Sequence, residues 1–270
     1  MAGKKHNAKL DVTTLFGIIL GFGAIVLGLV LEKGNIRDLA QYTAAIIVLG
    51  GTAGAVLVTN PRVAVRSALS HLKLVFREPS HDLAGTVDEF VTFAKKARRS
   101  GILSLETDAY SIQDPFFRKA LDLAVDGTDL AELACTMELD IEVAEHRADE
   151  AACVFESGGG YAPTIGIIGA VLGLIQVMKD LGNIEQVGHG IAVAFVATVY
   201  GVGAANLFLL PAAGKIRSRA KADRRFKELV LLGVTCIMEG CNPRLLRNRL
   251  SSYVEQSVDS MPFEVESRAA

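Results

Sequence analysis

SGGGYAPTIGIIGAVLGLIQVM, residues 157–178, runs for twenty-two positions between Glu156 and Lys179 without an Asp, Glu, Lys or Arg. A bilayer core about 30 Å thick is crossed by about 20 helical residues at 1.5 Å each, so this stretch is long enough to span it. Three further runs behave the same way. Residues 12–31 give twenty uncharged positions, 39–61 give twenty-three, and 186–214 give twenty-nine, of which 190–211 are strongly apolar. One such run could be the buried helix of a soluble protein, but four in one chain predict a transmembrane bundle. The first run has no small-residue cleavage site after a short apolar core, so it reads as a retained span rather than a signal peptide.

Composition fits that reading. Half of the 270 residues are hydrophobic, yet 28 are basic and 30 acidic. Such a mixture is reconciled by segregating greasy and charged residues along the chain, as in a multi-span protein with a water-exposed part. A net charge of −2 gives no electropositive field, which argues against a nucleic-acid partner.

Orientation follows from Lys and Arg, which are retained on the cytoplasmic side of a membrane. Lys4, Lys5 and Lys9 precede the first span; Arg62, Arg66, Lys73 and Arg77 follow the second; Lys215, Arg217, Arg219, Lys221, Arg224, Arg225 and Lys227 follow the fourth. The two short connections hold only Lys33, Arg37 and Lys179. The expected organisation is a cytoplasmic N-terminus (1–11), two spans (12–61), a cytoplasmic helical domain (62–156), two more spans (157–214), and a cytoplasmic C-terminal helix and tail (215–270). The fold class is all-α, an integral membrane protein.

Within the runs, glycines recur at four-residue spacing: Gly17 and Gly21, Gly50 and Gly54, Gly169 and Gly173. That spacing puts them on one helix face and lets backbones approach, which matters where lipid offers no hydrophobic drive for association. Asp, Glu, Lys and Arg are absent from all four runs; the polar groups are chiefly Thr52, Thr164, Gln176, Thr198, Tyr200 and Asn206, with His189 at an outer edge. An ion pathway normally buries an ionisable residue, so if protons or sodium ions cross here the carrier group must come mostly from another chain. Pro163 and Pro211 lie at the inner ends of the third and fourth spans, where a proline either kinks or ends its helix. Gly158, Gly159 and Gly160 predict a break before the third span.

In the insert, Leu83, Val87, Phe90, Val91 and Ala94 share a helical face, and Lys95, Lys96, Arg98 and Arg99 followed by Gly101 form a helix stop. Residues 101–106 read as a turn into a short apolar stretch with the acid Glu106 exposed. A capping pattern at Asp129 and Glu132 opens a helix with apolar positions from Leu130 to Phe155, roughly 40 Å long and leading into the third span. An arginine-rich helix should continue from the fourth span to about residue 240. Cys135, Cys153, Cys236 and Cys241 match no zinc spacing and read as free thiols in a reducing compartment. His6, His71, His81, His146 and His189 are scattered. No phosphate loop, HExxH or GxSxG occurs, so the sequence gives no reason to expect an enzyme, a metal centre or a cofactor.

Three stretches resemble a known family: ARRSGILSLE (97–106), APTIGIIGAVLGL (162–174) and GHGIAVAFVATVYGVGAANLFLLP (188–211). Together with the span layout they are similar to the MotA stator subunits of the bacterial flagellar motor, within the wider MotA/TolQ/ExbB group. The resemblance covers about residues 12–255. It implies a bacterial inner-membrane protein in which five copies ring two copies of a MotB-like partner, whose single transmembrane helix carries the ion-binding aspartate. It also implies that ion flow turns the ring against the rotor protein FliG. On the matched positions, Arg98 and Glu106 fall on rotor-contact charges, whereas the residues alone read as a solvated face. Pro163 and Pro211 fall on the paired functional prolines, and Thr198 on the threonine facing the partner's aspartate. Sodium-driven members carry a threonine where this chain has Ala170, so protons are the expected ion. An ExbB- or TolQ-like energiser of outer-membrane work, and a sodium-driven stator, are the alternatives.

Overall fold

The computed structural model describes residues 9–34, 39–78, 81–179, 181–182 and 184–259. Lys4, Lys5, His6 and Arg37 lie outside them, as do the side chains of Lys9, Arg77 and His189. The elements are α1 (Val12–Leu31), α2 (Tyr42–Thr59, with a π-helical turn at Ile46–Gly50), α3 (Arg62–Phe76) and α4 (Leu83–Ser100). A 3-10 turn (Ile102–Leu105) leads to the single turn α5 (Glu106–Ala109), then α6 (Pro115–Val125) and α7 (Leu130–Lys179). Helix α8 (Ile184–Ala204) passes through a π-helical turn (Ala205–Leu209) into α9 (Leu210–Met238), and α10 is Pro243–Asp259. Among the described residues the only strands are the two-residue β1 (Lys9–Leu10) and β2 (Arg77–Glu78), paired antiparallel.

The chain folds as an all-α protein, with four helices among the described residues long and apolar enough to cross a membrane. Two compact units share it: residues 9–78 with 146–220, and residues 81–145 with 221–259. Their division falls inside α7, between Glu145 and His146, and inside α9, between Ala220 and Lys221. The packing boundaries therefore differ from the span boundaries at 62, 156 and 214, because α3 and the first turns of α9 pack with the spans through Ala64, Ala68, Ala151, Phe155 and Ile216.

Two expectations are corrected, the break before the third span and the single C-terminal helix. Helix α7 does not break at Gly158–Gly160; it is continuous for 50 residues, about 75 Å. Two of those glycines serve close approach: a Cβ on Gly158 would lie 3.4 Å from Val56, and one on Gly159 would lie 2.5 Å from Leu210, while Gly160 has nothing within 4 Å. Pro163 sits inside α7 and does not end it. Of the glycine pairs, Gly17, Gly50 and Gly54 have nothing within 4 Å of their Cβ position, and Gly21 meets only the end of Leu207 at 3.0 Å. Finally, the C-terminal region holds a second helix, α10, because Gly240 (φ +69°) ends α9 and Asn242 restarts the chain by accepting from the Arg244 N–H at 3.0 Å.

The second unit has a conventional core. The Phe90 ring stacks on Phe117 with centroids 4.6 Å apart, and Phe93 meets Phe117 edge-on at 6.2 Å. Around them lie Leu105, Leu121, Leu133, Met137, Leu229, Val230, Leu246 and Leu250. Phe90 reaches this position only because residue 233 is glycine, whose Cβ would fall 2.6 Å from the ring. Asp82, Asp114 and the positive-φ residues Gly101 and Gly127 bound α4 and α6 as caps and stops.

Candidate functional site

Helices α7 and α8 pack along a seam with almost no side chains between them. A Cβ on Gly166 would lie 3.0 Å from the Ala197 carbonyl oxygen, and one on Gly169 would lie 2.8 Å from the Ala197 methyl. At Gly173 it would lie 3.0 Å from the Gly190 carbonyl oxygen and 3.0 Å from Ala194. At Gly201 it would run into the Ala162 carbonyl oxygen. Helix α2 covers the same pair, with Ile165 against Gly51 and Ile47 against Gly169, while Ala44 and Val48 bury against Val196 and Ala197. The Tyr200 hydroxyl donates to the Leu39 carbonyl.

Few polar groups interrupt this seam. Thr198 is half-buried next to Gly166, and its hydroxyl donates to the Ala194 carbonyl of its own helix at 3.4 Å. So long a bond leaves the hydroxyl able to serve another group. Pro163, three residues before Gly166, has no N–H to give to the Gly159 carbonyl. Ala170, half-buried one turn beyond Gly166, offers a methyl group. Among the described residues the Thr52 hydroxyl is buried without a partner. Gly169 and Gly173 are buried in the seam, whereas Pro211 is exposed just after the π-helical turn in which the Leu210 N–H reaches back to the Ala205 carbonyl. Thus Gly166, Gly169, Gly173 and Thr198 come together along the seam, Pro163 and Ala170 lie within about one turn of Gly166 on α7, and Pro211 is exposed at the start of α9.

Arg98 and Glu106 belong to the other unit. Arg98 stands in the basic last turn of α4, and Glu106 begins α5 after the 3-10 turn. Both are exposed, and among the described residues neither makes an ion pair. Nearby, Lys96 pairs with Asp108 at 2.6 Å, and Arg118 donates to the Ile112 carbonyl, so the backbone that presents Glu106 is held from within.

One ionic group escaped the sequence reading. Asp11, 6 % exposed, caps α1 by accepting the Thr14 N–H at 3.0 Å. It also accepts from Thr13 at 2.6 Å, and its other oxygen lies 2.6 Å from both the Lys215 ammonium and the Arg219 guanidinium. Burial pushes this carboxyl up, but the bonds from Lys215, Thr13 and Thr14 outweigh it and hold the group well below the usual carboxylate range. The cap was legible in Asp11 preceding two threonines; partners more than two hundred residues away were not. Further along α9, Arg217 joins Asp149 at 2.8 Å and Glu156 at 2.7 Å. The Arg217 bond holds Glu156 below its ordinary value.

Residues 108–228 match the profile of the MotA/TolQ/ExbB proton channel family, and residues 15–101 match the motility protein A N-terminal profile. The chain belongs to the MotA/TolQ/ExbB proton channel family. It is 34% identical to motility protein A of Helicobacter pylori over 245 residues, covering 91% of this chain and 95% of that protein. Its fold is similar to a chain of C. jejuni MotAB, with TM-score 0.87, 29% identity, and 97% and 99% of the two chains covered. It is also similar to the flagellar MotAB stator complex from Bacillus subtilis, with TM-score 0.84, 31% identity, and 93% and 100% covered. The chain is thus a flagellar stator subunit and a multi-pass inner-membrane protein, in a family of channel subunits rather than of enzymes.

Proposed function

We propose that five copies of this stator subunit surround two copies of a single-span MotB-like partner, and that protons moving through the assembly turn the ring against the rotor protein FliG. Both termini lie in the cytoplasm, as the Lys and Arg distribution requires. The observation that carries the reading is the α7–α8 seam: closely packed and apolar, without an Asp, Glu, Lys or Arg among its described residues, yet furnished with the Thr198 hydroxyl and the Gly159 carbonyl that Pro163 leaves without its helical donor. A carboxylate entering such surroundings from the partner is costly when charged and cheap when protonated. Its preferred seat changes with its charge, between polar neighbours such as Thr198 and the apolar seam. Each proton therefore steps the ring relative to the partner's helix.

Ala170 supports protons as the ion, since a methyl group cannot replace part of a sodium ion's hydration shell. Exposed and without an ion pair, Arg98 and Glu106 are available to charged groups on FliG, and Pro211 acts with Pro163 at the inner face. Pro163→Ala restores the missing N–H. Cells carrying it should lose swimming while assembling normal amounts of stator, measured by motility and by co-purification; normal torque in that variant would contradict the proposal.

A further inference from the structure

Two of the cysteines that look unrelated in the sequence are brought side by side by the end of α9. The Cys241 N–H donates to the Cys236 carbonyl at 3.0 Å, and the Gly240 N–H donates to the Ile237 carbonyl at 3.0 Å. This is a Schellman turn, closed by Gly240 at φ +69°, and it sets residues 236 and 241 against each other. Glu239 lies over the same turn. One donor atom from each residue, two thiol sulfurs and one carboxylate oxygen, all lie within 4.8 Å of one another, and Cys241 Sγ is 3.6 Å from Glu239 Oε2.

Those spacings suit an ion. A tetrahedral zinc-class cation with bonds of about 2.3 Å to sulfur and about 2.1 Å to oxygen needs its donors roughly 3.5 to 3.8 Å apart. The three atoms are within about 1 Å of forming one face of that tetrahedron. Glu239 is exposed, so the fourth position opens to water. Two sulfurs select a thiophilic metal over magnesium or calcium.

Charge supplies a separate argument. Two thiolates, one carboxylate and a divalent cation leave one negative charge. Arg249 of α10 directs Nη1 at Cys236 Sγ from 3.5 Å, which balances that charge and donates to the bound thiolate from outside the ligand set. A merely hydrophobic contact between two cysteines would need neither the carboxylate nor the guanidinium.

We propose that Cys236, Glu239 and Cys241 form a binding site for a thiophilic divalent cation of the zinc class, with Arg249 as its charge-balancing partner. Binding releases the two thiol protons and ties the end of α9 to α10. Helix α10 is held on α4 by the buried Leu246 and Leu250 and by Arg247 with Asp88 at 2.7 Å. The ion therefore braces the unit that presents Arg98.

Co2+ titration of the purified full-length chain in detergent, kept reduced, tests this. The expected result is a near-ultraviolet thiolate-to-cobalt absorption that saturates at one ion per chain and is bleached by Zn2+. Cys241→Ser should abolish the band. Glu239→Gln, a change on the surface, should weaken Co2+ affinity about tenfold or more, and Arg249→Gln should do the same while leaving the band's shape intact. Absence of the band in the unmutated chain, or an undiminished band in Cys241→Ser, overturns the proposal. So does a pair that can be oxidised to a disulfide but gives no band once reduced.

Discussion

In the unit of residues 9–78 and 146–220, most buried positions are small, among them Ala44, Ala162, Ala197 and Ala205, with Phe155 and Ile216 among the few large ones, while many large apolar side chains point outward: Phe16 is 63% exposed, Phe195 71% and Val58 89%. In the unit of residues 81–145 and 221–259 the order is reversed, with Phe90, Leu121, Leu133 and Met137 fully buried. The difference follows from the solvent each unit meets. Water drives large apolar surface inward at about 25 cal/mol per Å². Lipid does not, so the spans gain by bringing backbones together, and glycine and alanine are what permit it.

That contrast can be broken at four points. The largest effect is expected at Gly201, where any side chain meets the Ala162 backbone and cannot be accommodated by a rotamer change. Gly201→Val should cost more than ~4 kcal/mol and leave no assembled complex in native gels; a normally assembled variant would show that the seam is not a backbone contact. Next is Phe90→Ala, expected to cost about 3 to 5 kcal/mol of stability in the other unit by emptying the space over Gly233. Thermal unfolding of the purified protein reads it.

Asp11→Asn comes third, at about 3 kcal/mol near neutral pH, because it strands Lys215 and Arg219 beside a buried neutral group. The sign with pH is fixed by the depressed pKa of the folded state. Asp11 contributes fully above the unfolded value of about 3.9, and its contribution disappears as pH falls through the lower folded value. The variant and the parent should therefore converge in strong acid; a gap that instead widens there would contradict this assignment. Smallest is Arg217→Gln. Its partners Asp149 and Glu156 are more than half exposed, so the loss should stay under about 1 kcal/mol despite three well-placed charges.

How much of this the sequence disclosed depended on whether the signal was local. Charge-free runs marked all four spans, because the bilayer imposes a length that shows in one dimension. The stripe of Leu133, Met137 and Ile141 and the stop at Gly101 were equally legible, since helical period and positive φ act within a few residues. Gly158 and Gly159 misled because glycine favours both a break and a close approach, and only neighbours such as Leu210 decide between them. The cluster of Asp11, Lys215 and Arg219 joins residues more than two hundred positions apart, and nothing near Asp11 announces its partners. Helix α10 was hidden by its polar composition, its apolar contribution being chiefly Leu246 and Leu250. Of the site, Pro163 and Thr198 emerged from the family pattern, while Gly166 and Gly201, which set how closely α7 and α8 approach, required three dimensions.

The account rests on a channel that lacks its own ion-binding carboxylate. Proton flux into liposomes containing this chain alone, and containing it together with a MotB-like partner, tests that most directly. Flux should occur only with the partner and should vanish when the partner's membrane aspartate is replaced by asparagine. Flux through the chain by itself would contradict the account.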